Sequence, residues 1–292
     1  MSAVDVFDRR LCELGEGPMW DERTGEVFWV DIMSSAVHAK KLDSGATRTI
    51  TTPSIVGAVL PRRGDGFLVA LEHGPAFLSD DGEVSRLQTF ADADGEAPEV
   101  AVRANDAKCD RRGRCYVGTM AHGADPGCGS LYRLDPGETT LERVLTGVTI
   151  SNGTAWSADE TTMYYVDSMT HRFDAFDYDV ETGAISNRRA IVEFAEEDGL
   201  PDGMTIDAED CLWVAFWGGG AVRRYTTDGE LVQTIELPTP QVTSCAFVGP
   251  ALDRLVITTA RLGLTGDGDE LSGATFVADP GVAGTPTAAF GG

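Results

Sequence analysis

Glu16 in LGEGPMWD, Asn152 in TISNGTAW and Asp202 in GLPDGMTID share one feature: an oxygen-bearing side chain followed directly by glycine, just ahead of a hydrophobic residue and an expected inner strand. Each alone reads as a turn. Asn-Gly and Asp-Gly are ordinary turn dipeptides, and a loop carboxylate beside Gly15, Gly17 and Pro18 is at home in solvent. Brought to one point, two carboxylates and an amide carbonyl form instead an all-oxygen site for a divalent cation, with positions left for water or substrate.

Residues this far apart in sequence meet only if the fold carries them to one place. One pattern recurs: a short β-rich run, a few small or polar residues, a second β-rich run, then a turn with Gly, Asp or Asn. It occurs as EVFWVDIMSSAVHAKKLDSG, GFLVALEHGPAFLSDDGE, CYVGTMAHGADPGCGSLYRLDPGE, MYYVDSMTHRFDAFDYDVETG, LWVAFWGGGAVRRYTTDGE and LVITTARLGLTGDGDELSGATFVADPG. The anchors Val30, Val69, Val117, Val166, Val214 and Ile257 lie 39 to 49 residues apart, a period that fits one small antiparallel sheet per unit in a radial array. Alternation such as Tyr164 and Val166 against Tyr165 and Asp167 is strand-like, and no amphipathic helical stretch of about 12 residues or more occurs. The sequence therefore predicts an all-β, six-bladed β-propeller over residues 1–292 as one domain. A strand from before Leu14, added to the last unit near Thr275 to Ala278, closes the ring. Loops at one end of the blades then converge on a central channel, where Glu16, Asn152 and Asp202 meet.

Composition excludes several partners. The chain carries 47 acidic against 23 basic residues, a formal net charge of −24. Its only lysines are Lys40, Lys41 and Lys108, so no basic patch exists to hold a phosphate backbone and nucleic acid is excluded. So acidic a surface stays soluble in high salt, and fits either a salt-tolerant source or an ordinary acidic cytosolic protein. No apolar run reaches the ~20 residues of a membrane span, and MSAVDVFDRR lacks the basic start and apolar stretch of a secretory signal. The expectation is a cytoplasmic protein with no membrane partner. Cys12, Cys109, Cys115, Cys128, Cys211 and Cys245 show no C-x-x-C pair, which argues for reduced thiols; Cys109 and Cys115 would face each other across the turn DRRGR.

LGEGPMWD, RANDAKCD, GRCYVGTM, SLYRLD, ISNGTAWS and LPDGMTID, in this order, resemble the gluconolactonase, regucalcin and luciferin-regenerating-enzyme family of six-bladed propellers from about Leu14 to Arg261. The resemblance implies that Glu16, Asn152 and Asp202 hold one divalent metal: calcium, zinc, magnesium, manganese or ferrous iron. It also implies that Asp202 shuttles protons as the catalytic residue, and that Arg103 and Asn105 contact substrate. In the animal branch an acidic residue soon after the GTM segment also touches the sugar. Here Met120 is followed by Ala121, His122, Gly123 and Ala124, so that branch's substrate preference does not carry over. The segment ending in CGSLYR is closer to bacterial sugar lactonases acting on pentonolactones. His122 either lines the pocket as a substrate contact or faces solvent.

The implied reaction is metal-dependent hydrolysis of a sugar lactone (an aldonolactone such as xylono-, arabino- or gluconolactone) to the aldonic acid, by a monomer or weak homo-oligomer. The alternatives are a non-catalytic calcium-binding regulatory propeller and a broader esterase or organophosphate hydrolase. A lactone is a neutral cyclic ester, which a negative surface does not repel. A divalent ion polarises its carbonyl and lowers the pKa of water, Asp202 relays the proton to the ring oxygen, and Arg103 and Asn105 orient hydroxyls. Other candidates fit less well. His38, His73, His122 and His171 lack zinc-site spacing. No G-x-S-x-G elbow is present, and Ser151 has no evident histidine partner. FWGGGAV lacks the helix and lysine of a phosphate loop. Asp106 reads as a structural hydrogen-bonding residue, and Trp217 as blade packing or a pocket wall.

Overall fold

The computed structural model describes residues 4–95, 99–264 and 270–292; the connection 265–269 inside the sixth unit lies outside the described residues. Six four-stranded antiparallel sheets form the blades of a β-propeller. Every anchor falls in the second strand of its blade: Val30 in Glu26–Asp31, Val69 in Phe67–Leu71, Val117 in Cys115–Ala121, Val166 in Thr162–Asp167, Val214 in Leu212–Trp217 and Ile257 in Arg254–Thr259. These strands are apolar along nearly their whole length because neighbouring blades pack against both of their faces. One cluster joins Met19, Phe28 and Val30 of the first blade to Val56, Phe67 and Val69 of the second. Another joins Trp213 and Ala215 of the fifth to Cys245, Phe247 and Ile257 of the sixth. Outermost strands such as Thr47–Thr51 and Leu231–Glu236 are largely exposed.

The first strands of the blades are Gly15–Asp21, Val56–Pro61, Val102–Cys109, Ser151–Trp156, Leu200–Ile206 and Val242–Val248. Each contacts the next around a closed circle, so these strands wall the channel. Closure follows the sequence expectation. Val4–Asp8 is the outer strand of the sixth blade, with Val4 opposite Ala278, Asp5 opposite Val277 and Val6 opposite Phe276. A second closure was not read from the sequence. The C-terminal segment crosses the end of the channel away from the starts of the inner strands: the Gly284 amide donates to Leu252, the Thr285 hydroxyl to Ile206, the Phe290 amide to Pro61 and the Gly291 amide to Gly113. The longest described helix, Phe90–Asp94, has five residues, and no described helix is long and apolar enough to cross a membrane.

Candidate metal centre

Glu16, Asn152 and Asp202 lie inside inner strands, near their starts, and not in the loops ahead of them as the turn-like dipeptides suggested. The reason is a bulge. Register shifts between Glu16 and Met19, Ser151 and Thr154, and Pro201 and Met204, and the same irregularity recurs between Ala104 and Ala107 beside Asn105. A bulge turns a side chain out of the sheet alternation, here toward the channel, without ending the strand. The glycine that follows serves close packing. A Cβ on Gly153 would meet the Asp202 carbonyl oxygen at 2.6 Å, and one on Gly203 the Ser244 Oγ at 2.2 Å. Glycine thus lets adjacent inner strands approach closely enough for their polar side chains to share one space.

A hydrogen-bonded chain crosses from the third blade to the fourth. Arg103 Nη1 donates to Asn105 Oδ1 at 2.8 Å and to the Ala104 carbonyl at 2.9 Å. Asn105 Nδ2 donates to the Ser151 carbonyl and to Asn152 Oδ1, both at 2.9 Å. Asn152 Nδ2 donates to Ser168 Oγ at 2.8 Å, which fixes the Asn152 amide with its oxygen inward. Glu16 and Asp202 stand in the same electrostatic field. Burial raises the Glu16 carboxyl to about 8, with Asp106 adding repulsion and the Gly17 amide and Arg103 opposing it. Asp202 is raised well above the ordinary carboxylate range by burial, then by the charges of Glu16 and Asp106. Burial also lowers the Arg103 guanidinium, against the pull of Glu16, Asp202 and Glu72.

Asp202 Oδ1 is buried and has no hydrogen-bond partner among the described residues. A buried carboxylate oxygen without a donor, beside a second buried carboxylate, is costly unless a proton or a cation neutralises it. The donor set suits a hard or borderline divalent ion: carboxylate oxygens from Glu16 and Asp202 and the oriented amide oxygen of Asn152. A different group, Cys12, Asp31 and His38, also brings potential ligand atoms together. Its carboxylate and imidazole are otherwise engaged. Asp31 accepts the Glu13 and Leu14 amides and the Ser34 hydroxyl, as Asp167 accepts the Thr149 and Ile150 amides in the fourth blade. His38 Nδ1 lies 2.9 Å from Thr49 Oγ1, and burial pushes the Cys12 thiol up to about 12. Asp31 is therefore a brace on the segment entering an inner strand.

The remaining residues sort by depth along the channel. Asp106 Oδ1 accepts the Ala107 amide at 2.8 Å, in keeping with its structural reading, and the charge of the same carboxylate bears on both Glu16 and Asp202. Lys108, deeper, donates to the Met204 carbonyl at 2.6 Å. Below lies a space of about 80 Å³ whose lining includes Asp106, Lys108, Ser244 and the C-terminal residues Thr285 and Pro286. Ser151 Oγ accepts the Tyr165 hydroxyl at 2.7 Å and is buried, which leaves it no role as a nucleophile. Trp217 is half-buried and packs against the cluster holding Leu14 and Ala260. Described cysteines are all free thiols, with Cys109 directly opposite Cys115 in the strand register. His122 lies at the same end of the blades as Arg103, its Nε2 3.4 Å from Glu72 Oε1. Glu72 was missed in the sequence; its only signal is that it directly follows a second strand, as His122 does.

The sequence pattern of the SMP-30/Gluconolactonase/LRE-like region matches residues 14–261. The pentonolactonase XacC of Haloferax volcanii is 38% identical over 299 residues, covering 98% of this chain and 97% of its own. Regucalcin of Danio rerio is 36% identical over 298 residues, covering 99% and 98%. Among solved structures, a luciferin-regenerating enzyme superposes with a TM-score of 0.91 at 33% identity, covering 99% of each chain.

Proposed function

Because the chain belongs to the SMP-30/gluconolactonase/LRE-like family, we propose that it hydrolyses a sugar lactone to the aldonic acid, using a divalent cation held by Glu16, Asn152 and Asp202. The observation that carries this reading is the buried Asp202 Oδ1, without a partner among the described residues and set in a field shared with Glu16 and Arg103. The pentonolactonase relative supports the substrate class. When bound, the cation supplies polarisation of the lactone carbonyl and acidification of water. Asp202 takes a proton from the attacking water and returns it to the ring oxygen as that oxygen leaves, the same group serving as base and then acid. Arg103 has Nε and Nη2 without hydrogen bonds among the described residues, and these donors orient the lactone's oxygens. Asn105 cannot move freely, because both ends of its amide are engaged, so it holds Arg103 and Asn152 in register.

A solved structure described as a calcium-binding protein, regucalcin, and relatives of the same name suggest a non-catalytic calcium-binding regulatory propeller as a second reading. The Arg103–Asn105 pair argues for a substrate, since binding a cation alone requires no guanidinium beside it. A rate panel over pentono- and hexonolactones, with calcium, magnesium, manganese, zinc and ferrous iron in turn, tests the proposal. Turnover of at least one sugar lactone well above its spontaneous opening is expected. Cation binding with no lactone turnover under any ion would leave the non-catalytic cation-binding propeller as the reading.

A further inference from the structure

Glu72 is fixed to the edge of this site by its backbone. Its amide donates to the Ile55 carbonyl at 2.8 Å, and its carbonyl accepts the Ala104 amide at 3.0 Å, between Arg103 and Asn105. The side chain is about a quarter exposed and accepts no hydrogen bond among the described residues. His122 Nε2 lies 3.4 Å from Oε1, and His73 Nε2 lies 4.0 Å from Oε2. The Glu72 charge also bears on the Arg103 guanidinium, whose Nε and Nη2 are likewise without partners. A rim that sets a free acceptor beside free donors suits a ligand group that both donates and accepts, which describes a hydroxyl. A cation alone needs neither the guanidinium nor an acceptor this far out, on the second blade where it meets the third.

Resting on the lactone reading above, we propose that Glu72 is a specificity-determining residue that accepts hydrogen bonds from ring hydroxyls of the substrate. It selects polyhydroxylated lactones over unsubstituted ones. His122 positions the Glu72 carboxylate and makes a smaller contribution of its own. A polar group built to pair with a substrate hydroxyl is left unpaired by an analogue lacking it, and discrimination follows from that penalty.

The test compares parent, Glu72→Gln and Glu72→Ala on a pentono-1,4-lactone and on γ-butyrolactone, which has no hydroxyls, with binding of xylitol measured by calorimetry in the presence of calcium. Glu72 is a surface-loop residue whose backbone bonds survive substitution, so the variants fold. Glu72→Ala is expected to lower kcat/KM for the hydroxylated lactone about 10- to 100-fold, chiefly through KM. The same variant should change γ-butyrolactone turnover less than about 3-fold and weaken xylitol binding in parallel, with Glu72→Gln between the two. An equal fall on both lactones, or no change on either, overturns the inference and leaves lactone hydrolysis standing. A parent that hydrolyses no lactone refutes the proposed function; the inference then falls with it if xylitol does not bind or binds equally to Glu72→Ala.

Discussion

In the proposed mechanism Asp202 carries two demands that pull against each other: a ligand must stay ionised, whereas a base must accept a proton. Burial with Glu16 and Asp106 raises its proton affinity, which suits the base, and Oδ1 has no donor among the described residues, which suits the ligand. Asp202→Asn keeps an oxygen in nearly the same place but removes the charge and the proton acceptor. Its turnover should fall on the order of 10² to 10⁴, measured on metal-saturated protein and corrected for spontaneous opening; turnover within a few-fold of the parent would make Asp202 only a ligand. Arg103→Ala should instead act through kcat/KM with a raised KM, because it removes positioning and not proton transfer. Glu16 adds a pH signature. The folded, cation-free protein keeps a proton on Glu16 up to about 8, whereas an ordinary glutamate releases it near 4.5. The stability contributed by that raised value is full below 4.5 and is lost as pH rises through about 8. A divalent cation replaces the proton, so its stabilising effect grows across the same window. Thermal midpoints in chelator and in calcium, taken on both sides of the window, should therefore diverge as pH rises; a constant gap would remove Glu16 from the cation site.

At the scale of the strand, the same three residues show what sequence can and cannot convey. The second strands were legible because packing between blades makes them apolar on both faces, as in EVFWVD and LWVAFW. The inner strands were legible only in part. Asn152-Gly153 and Asp202-Gly203 carry the composition of a turn, and nothing local distinguishes a turn from a bulge whose glycine is demanded by the neighbouring blade. That Glu16, Asn152 and Asp202 hold equivalent places in three blades was legible from their recurrence; their position within the strands required the register. Glu72 was illegible, since its partners Ala104 and His122 come from another blade. Gly57 tests the close approach. A Cβ there would meet the Asn105 carbonyl oxygen at 2.2 Å and its carbonyl carbon at 3.0 Å, all of it backbone that cannot swing aside. Gly57→Ala should cost about 1–3 kcal/mol in denaturant unfolding. It should also weaken substrate binding by displacing Asn105. A variant as stable as the parent would show that the second and third blades have room to part.

The whole ring is held shut in two ways that differ in how they are encoded. Val4–Asp8 completes the sixth blade by ordinary strand pairing, so its role could be read from a β-rich run with one sheet edge left to cover. The C-terminal segment has no such signal: GVAGTPTAAFGG is small and lacks either period, and the family likeness stops near Arg261. Its anchor is Phe290, fully buried in the cluster that holds Leu60, Cys109 and Leu134, with its ring centroid 6.2 Å from that of Phe77. The Phe290 amide and carbonyl are both tied to the second blade, and the Arg62 guanidinium donates to the terminal Gly292 carbonyl. These contacts lie at the far end of the channel from Glu16 and Asp202, so stability and chemistry should separate cleanly. Phe290→Ala should lose about 3–5 kcal/mol of unfolding free energy, because the cavity it leaves is bounded by strands of two blades that cannot collapse into it. At a temperature where the variant is still folded, its cation affinity and kcat/KM should match the parent's. A raised KM comparable to that of Arg103→Ala would instead mean that the tail sets the spacing of the inner strands along their whole length, and that the site depends on both ends of the channel.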